Sequence, residues 1–262
     1  MELRDSVTVV TGGGAGIGAA LCRKLRDEGA RVAVLDSNAE AARSVAGAVQ
    51  GLAVGVDVSD EAKLCAAIKK VENQYGAIDV FVSNAGVAFA DAADAATETD
   101  NEHWRRSLDV NLMAHVYAAR ALLPGMLQRG SGCLVNIASA AGLLSQIGAA
   151  AYSASKHAAV GFAESLAISY ADRGIQVAVV CPQYVATDLI DRLDRRLIDA
   201  VGGEVLSAEK PAERIVAGIC SKRFLILPHP EVAGFFRRKA EDYDAWIAAM
   251  GALKSRAGID GA

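Results

Sequence analysis

The chain reads as an α/β protein built on a doubly wound, mostly seven-stranded parallel sheet flanked by helices on both faces. Two observations predict that class. Short β-branched runs alternate with longer amphipathic stretches along all 262 residues. Those runs are apolar almost throughout rather than at every second position, as strands covered on both faces are. A third feature points the same way: a glycine-rich turn directly follows the first run and opens a helix.

The elements follow in order. Strands are expected over 7–10, 31–35, 52–56, 79–82, 132–137, 176–180 and 224–227, with helices beginning near Gly16, Ala39, Glu61, Glu102, Ala151, Asp188 and Pro211. Nothing reads as an interdomain linker or a repeat, so 1–262 is expected to form one domain. The alanine-rich stretch 88–99 is expected to be mobile. After Pro228-His229-Pro230, residues Phe235, Phe236, Tyr243, Trp246, Ile247 and Met250 predict an amphipathic C-terminal helix within 228–262.

Composition narrows the function classes. Just over half the residues are apolar (52%), enough for a large core, and the net charge is only −4. That balance offers no basic patch for nucleic acid and no case for a membrane surface. The N-terminus lacks the apolar stretch of a secretory signal, and the apolar runs have strand length, short of a membrane span. Five cysteines, Cys22, Cys65, Cys133, Cys181 and Cys220, are dispersed without metal-ligand spacing. They predict reduced thiols, a cytoplasmic protein and no metal site.

The glycine turn is Thr11-Gly12-Gly13-Gly14-Ala15-Gly16-Ile17-Gly18. Glycines let a ligand approach the backbone, and a helix N-terminus presents unpaired N–H groups to phosphate oxygens. Set between a strand and a helix, this is the signature of a Rossmann-type dinucleotide site. Asp36 closes the second strand about 20 residues on, where a carboxylate can accept both ribose hydroxyls of NAD and repel the 2′-phosphate of NADP. No base lies in the turn, and Ser37 follows the acid. The electrostatics favour NAD.

Further on stands Tyr152-Ser153-Ala154-Ser155-Lys156, which sets a phenol and an ammonium one helical turn apart on the same face. A free tyrosine, titrating near pH ~10, is a poor acid or base near neutrality. A neighbouring cation is expected to stabilise its phenolate. Ser139, upstream, is placed to hydrogen-bond a substrate oxygen and turn it towards Tyr152. Glycine turn, acid, serine, tyrosine and lysine together point to hydride transfer between a nicotinamide and a carbonyl.

Over residues 3–227 the chain resembles the main branch of the short-chain dehydrogenase/reductase family. The family's Thr-Gly-x-x-x-Gly-x-Gly is met at Thr11–Gly18, its Asn-Asn-Ala-Gly at Ser83-Asn84-Ala85-Gly86, and its catalytic asparagine, serine, tyrosine and lysine at Asn111, Ser139, Tyr152 and Lys156. The resemblance implies that Gly12, Gly14, Gly16, Ile17, Gly18, Asp36, Asp57, Val58, Asn84, Ala85, Gly86, Pro182, Val185 and Thr187 hold the cofactor with Tyr152 and Lys156. Asp57-Val58 would lie by the adenine and Thr187 by the carboxamide. It implies that Tyr152 takes the alcohol proton while hydride passes to NAD, and that Lys156 holds the ribose and lowers the tyrosine pKa. Ser139 then orients the substrate oxygen, and Asn111 helps hold a proton-carrying water chain.

The same resemblance implies a core over 1–186, a substrate lid over 187–210 hinged at Gly202-Gly203, and a homodimer or homotetramer. Ala141, Leu143, Gln146, Gln183 and Tyr184, with Ala140 and Leu144, are the expected pocket walls. Their apolar character predicts a neutral or hydrophobic secondary alcohol or ketone. Gln183 departs from the family, which has glycine after that proline. Two other readings use the same fold: a non-catalytic NAD-sensing or interaction protein, and a redox-neutral NAD-using lyase or epimerase.

Overall fold

The structure is a computed structural model, and residues 1–91, 99–190, 195–201 and 203–258 are described. Seven parallel strands form one sheet in the order β3-β2-β1-β4-β5-β6-β7. They are β1 (Val7–Thr11), β2 (Arg31–Asp36), β3 (Leu52–Gly55), β4 (Val80–Ser83), β5 (Gly132–Ile137), β6 (Ile175–Val180) and β7 (Leu225–Ile226). Every residue of β1 and β5 is buried, because helices cover both faces of the sheet. The expected strands are all present, each within one residue of its predicted ends.

On one face pack α1 (Gly16–Asp27), α2 (Ala39–Ala48) and α9 (Glu209–Cys220), whose Leu21, Leu25, Val45 and Ile215 meet Val10, Val34 and Val82 from the strands. The other face is covered by α3 (Glu61–Tyr75), α5 (Ala114–Arg129) and α7 (Ala150–Tyr170), around Phe81, Leu122, Met126 and Ala163. Side chains at the N-termini of α2, α3 and α4 (Asn101–Leu108) accept from the first free amides: Asn38, Asp60 and Asp100. Between α4 and α5 the backbone widens into a π-helical turn, Asp109–Met113, which carries Asn111.

The strand order turns back between β1 and β4, so a crevice opens at the carboxyl ends of those strands. It is continued by a single-turn α6 (Ala141–Leu144) after β5 and by the segment after β6. Two elements depart from the sequence reading. Residues 187–190 are irregular, and the helix expected from Asp188 is seen as α8 (Arg195–Val201); Leu193 and Gly202, assigned to the lid and its hinge, lie outside the described residues. Most of the alanine-rich stretch (92–98) also lies outside them. The single C-terminal helix is in fact two, α10 (Glu231–Glu241) and α11 (Tyr243–Arg256), divided at Asp242, whose extended backbone and carboxylate cap α11 through the Ala245 N–H.

Candidate active site

The glycine turn leaves β1 and enters α1. Gly12 and Gly16 have φ of +60° and +49°, values that side chains strain to adopt. Gly18 has no room for a methyl group, since a Cβ would lie 2.1 Å from the Gly12 carbonyl oxygen. The turn is clasped from β4: Asn84 Nδ2 donates to the Thr11 and Gly12 carbonyls, at 2.9 and 3.1 Å, and Thr11 Oγ1 accepts from the Asn84 and Ala85 N–H groups. The first turn of α1 carries no acidic residue, and its Ala15 cap supplies no side-chain acceptor. The leading amides of α1 are thus left to an anion, which is the chemistry a pyrophosphate needs.

Asp36, at the carboxyl end of β2, stands over the turn and accepts from the Gly14 and Asn38 N–H groups, both at 2.9 Å. Asp57 and Ser59 follow β3 and are joined by Arg106 from α4, which bonds Asp57 Oδ2 at 3.1 Å and Ser59 Oγ at 2.6 Å. Partial burial raises the Asp57 pKa, but the bonds from Ser59 and Arg106 outweigh it and hold the carboxyl below its usual range. Arg106 was not visible as a site residue in the sequence, because its partners lie 47 and 49 residues away.

A cleft of about 390 Å³ runs along this edge. Gly12, Gly16, Ile17, Asp36, Asp57, Val58, Asn84, Ala85, Gly86, Ser139, Ala141, Gln146, Tyr152, Lys156, Pro182, Gln183, Tyr184, Val185 and Thr187 line it. Gly14 and Gly18 shape the turn from behind. Leu143 is also set back, as a core side chain on α6 that is 5% exposed. Thr187 covers the turn, since a Cβ on Gly16 would meet its Cγ2 at 2.9 Å.

At the far end, Tyr152 and Lys156 project from the first two turns of α7, with the Lys156 Nζ 5.7 Å from the tyrosine ring centroid. Lys156 donates to the Ile137 carbonyl of β5 at 3.0 Å. Desolvation pulls its pKa down to about 8. Desolvation also raises Tyr152, against the opposing pull of the Ser139 hydroxyl. In the chain alone burial outweighs the Ser139 bond, and the phenol lies above its ordinary value. Ser139, itself 8% exposed, accepts from the Ala141 N–H at 3.1 Å.

Asn111 is buried, and its amide is fully engaged. Oδ1 accepts from the Val87 N–H, while Nδ2 donates to the Val87 carbonyl and to Ser155 Oγ, at 2.9–3.0 Å. The side chain thereby braces the loop after β4 against α7. Gly86 fits between Asn111 and Lys156, where a Cβ would come within 3.4 and 3.5 Å of their polar atoms.

A second contributor that carries no motif in the sequence is His229. His229 is 1% exposed. Its Nδ1 accepts from the Gln183 N–H, and its Nε2 faces the Tyr184 carbonyl, each at 3.0 Å. Both bonds are satisfied only by the neutral ring with its proton on Nε2, and burial lowers its pKa in agreement. The departure Gln183 is thus held at the cleft by a histidine 46 residues away.

A glycine-cradled helix N-terminus, an acid at the next strand and a buried serine–tyrosine–lysine group define a nicotinamide-dependent oxidoreductase. The short chain dehydrogenase family model matches residues 6–197, and the chain belongs to that family. It is 38% identical to a 2-(R)-hydroxypropyl-CoM dehydrogenase of Xanthobacter autotrophicus over 72% of this chain and 78% of the relative. With a meso-2,3-butanediol dehydrogenase of Serratia marcescens it shares 34% identity over 76% and 79% of the two chains. Among solved structures, a short chain dehydrogenase/reductase from Burkholderia phymatum in complex with NAD superposes with a TM-score of 0.84, at 28% identity over 94% and 96% of the chains.

Proposed function

We propose that this protein is an NAD-dependent alcohol dehydrogenase or ketoreductase acting on a secondary alcohol or its ketone. The observation that carries the reading is the meeting of Ser139, Tyr152 and Lys156 in one buried group on the cleft that begins at the glycine turn. The relatives named above and a cyclohexanol dehydrogenase of Acinetobacter, 34% identical, support an alcohol as substrate.

NAD, when bound, supplies the hydride acceptor. Ser139 Oγ and the Tyr152 hydroxyl together bind the substrate oxygen and orient its carbon. Tyr152 exchanges the proton: it accepts from the alcohol in oxidation and donates to the ketone oxygen in reduction. Lys156, anchored to Ile137 on one side, binds the nicotinamide ribose with its remaining N–H donors and brings positive charge to the phenolate. A cationic nicotinamide would oppose the burial that raises Tyr152 in the chain alone. Asn111 keeps Lys156 and the loop after β4 in register through Ser155 and Val87. Asp36 selects NAD over NADP by charge. Val58 and Asp57 wall the adenine end, and residues 187–210 act as a lid.

The walls near Tyr152 are apolar, with Ala140, Ala141 and Tyr184 around one amide pair, Gln146 and Gln183. They favour an uncharged group around the reacting carbon. The family resemblance supports assembly as a homodimer or homotetramer through the helical stretch from Glu102 (α4 into α5) and α7, which carries Tyr152. The test is NADH formation by purified protein given NAD and aliphatic, aromatic and steroid secondary alcohols. One NADH per ketone formed is the expected result. Product formation without net NADH contradicts this reading and favours redox-neutral chemistry.

A further inference from the structure

Beyond the cleft lies a second cavity of about 260 Å³. The two share Ala140, Ala141, Gln146, Gln183 and Tyr184, so the second cavity opens from the walls around Tyr152. Its distal side is built from α8, α10 and α11: Leu197, Phe235, Trp246, Met250 and Leu253, with Arg238 and Arg256. These helices are tied down. Lys239, 6% exposed, donates to the Leu143 carbonyl at 2.7 Å, and Arg196 on α8 donates to the Gly258 carbonyl at 2.7 Å. Apart from Leu197, these distal residues lie after residue 197, where the family match ends.

The charge of this cavity runs against that of the protein. The chain as a whole carries −4, yet among the described residues the cavity lining includes two guanidinium groups and no carboxylate. Neither Arg238 nor Arg256 has a carboxylate partner among the described residues. Arg238 is steadied instead by Phe235, its Cζ 5.0 Å from the ring centroid. At the throat between the cavities, Gln183 Oε1 is buried and has no partner among the described residues. A buried amide oxygen in that state is costly unless a ligand group or water completes it.

We propose that the second cavity is the tail subsite for the substrate, and that Arg238 and Arg256 bind an oxyanion, carboxylate or sulfonate, at the end of an apolar arm. The substrate is then a secondary alcohol or ketone with its reacting carbon at Tyr152, its chain past Gln183 and its charge at the two arginines. Guanidinium forks suit planar or multi-oxygen anions. This rests on the dehydrogenase reading above, and it revises the sequence-based expectation of a neutral substrate: the walls near Tyr152 are apolar, the far end is cationic.

The test uses the full chain with NADH and methyl ketones that end, after two to six methylenes, in a carboxylate, a sulfonate or a methyl ester. Reduction rates and calorimetric affinities are measured for wild type and for Arg238→Gln/Arg256→Gln. The prediction is that one of the anions has a kcat/KM at least about tenfold above its ester at the best length, and that the double substitution removes this preference while the ester rate stays within about twofold; a tenfold ratio corresponds to about 1.4 kcal/mol. Equal or better turnover of the ester, or a preference that survives the double substitution, overturns the proposal. Anions that bind through the arginines yet are not reduced would keep the subsite and count against the dehydrogenase reading. No binding of any anion overturns the subsite.

Discussion

Two buried groups show how strongly desolvation acts around this site. Lys156 is drawn down to about 8 and His115, on α5, to about 3; burial is the main cause for both, and the lysine charge adds to it at the histidine. Both His115 ring nitrogens are buried and lack partners among the described residues. Its folded pKa lies below its unfolded value of about 6.5. Stability from this group is therefore present above that value and is lost as pH falls towards about 3. At order of magnitude the loss reaches about 5 kcal/mol. His115→Leu should remove this term, moving the acid-unfolding midpoint to lower pH while leaving the melting temperature at pH 8 unchanged or higher. Circular dichroism across an acid titration checks it, and an unchanged acid midpoint contradicts the role given to His115. Residue roles were legible where chemistry sits in a short motif, as at Tyr152 and Lys156. They were hidden where partners are far apart in sequence, as with Arg106 and His229, because spacing records nothing about a bond closed by the fold.

Elements were legible where periodicity is strong. The seven strands were, since each is a nearly unbroken apolar run. The π-helical turn was not: Asp109–Met113 looks like ordinary helix, and what widens it there is not encoded in any local pattern. The split of the C-terminal helix at Asp242 had a signal, since an aspartate three residues before the Ala245 amide is a helix cap, but the apolar spacing on either side masked it. The same C-terminal region carries the His229 clamp on the segment after β6. His229→Ala leaves the Gln183 N–H and the Tyr184 carbonyl without their partner, at a cost of about 2–4 kcal/mol. The expected outcome is a lower melting temperature and a raised KM for the alcohol, with NADH affinity little changed. Equal losses of alcohol and NADH binding would show that the histidine serves the whole cleft and not the substrate side.

At the scale of the molecule, one sheet edge collects the glycine turn, the acid of β2 and the tyrosine–lysine pair, and the cofactor preference belongs to that whole edge. Asp36→Asn keeps one side-chain oxygen, for either the Gly14 or the Asn38 N–H but not both, and removes the charge that repels a 2′-phosphate. The ratio of kcat/KM for NADP to that for NAD is expected to rise by at least about tenfold, about 1.4 kcal/mol of discrimination; steady-state kinetics with both cofactors measures it, and an unchanged ratio would place the selection elsewhere. Among the described residues no helix is long and apolar enough to cross a membrane. The central claim is that Tyr152 moves the proton while other residues hold the cofactor. Its most direct test is Tyr152→Phe, comparing turnover of an alcohol that the wild type oxidises with the dissociation constant for NADH read by fluorescence. The account predicts that kcat falls by about 10²–10⁴-fold while NADH affinity stays within a few-fold of wild type. Retained turnover would contradict it and move the proton transfer to another group.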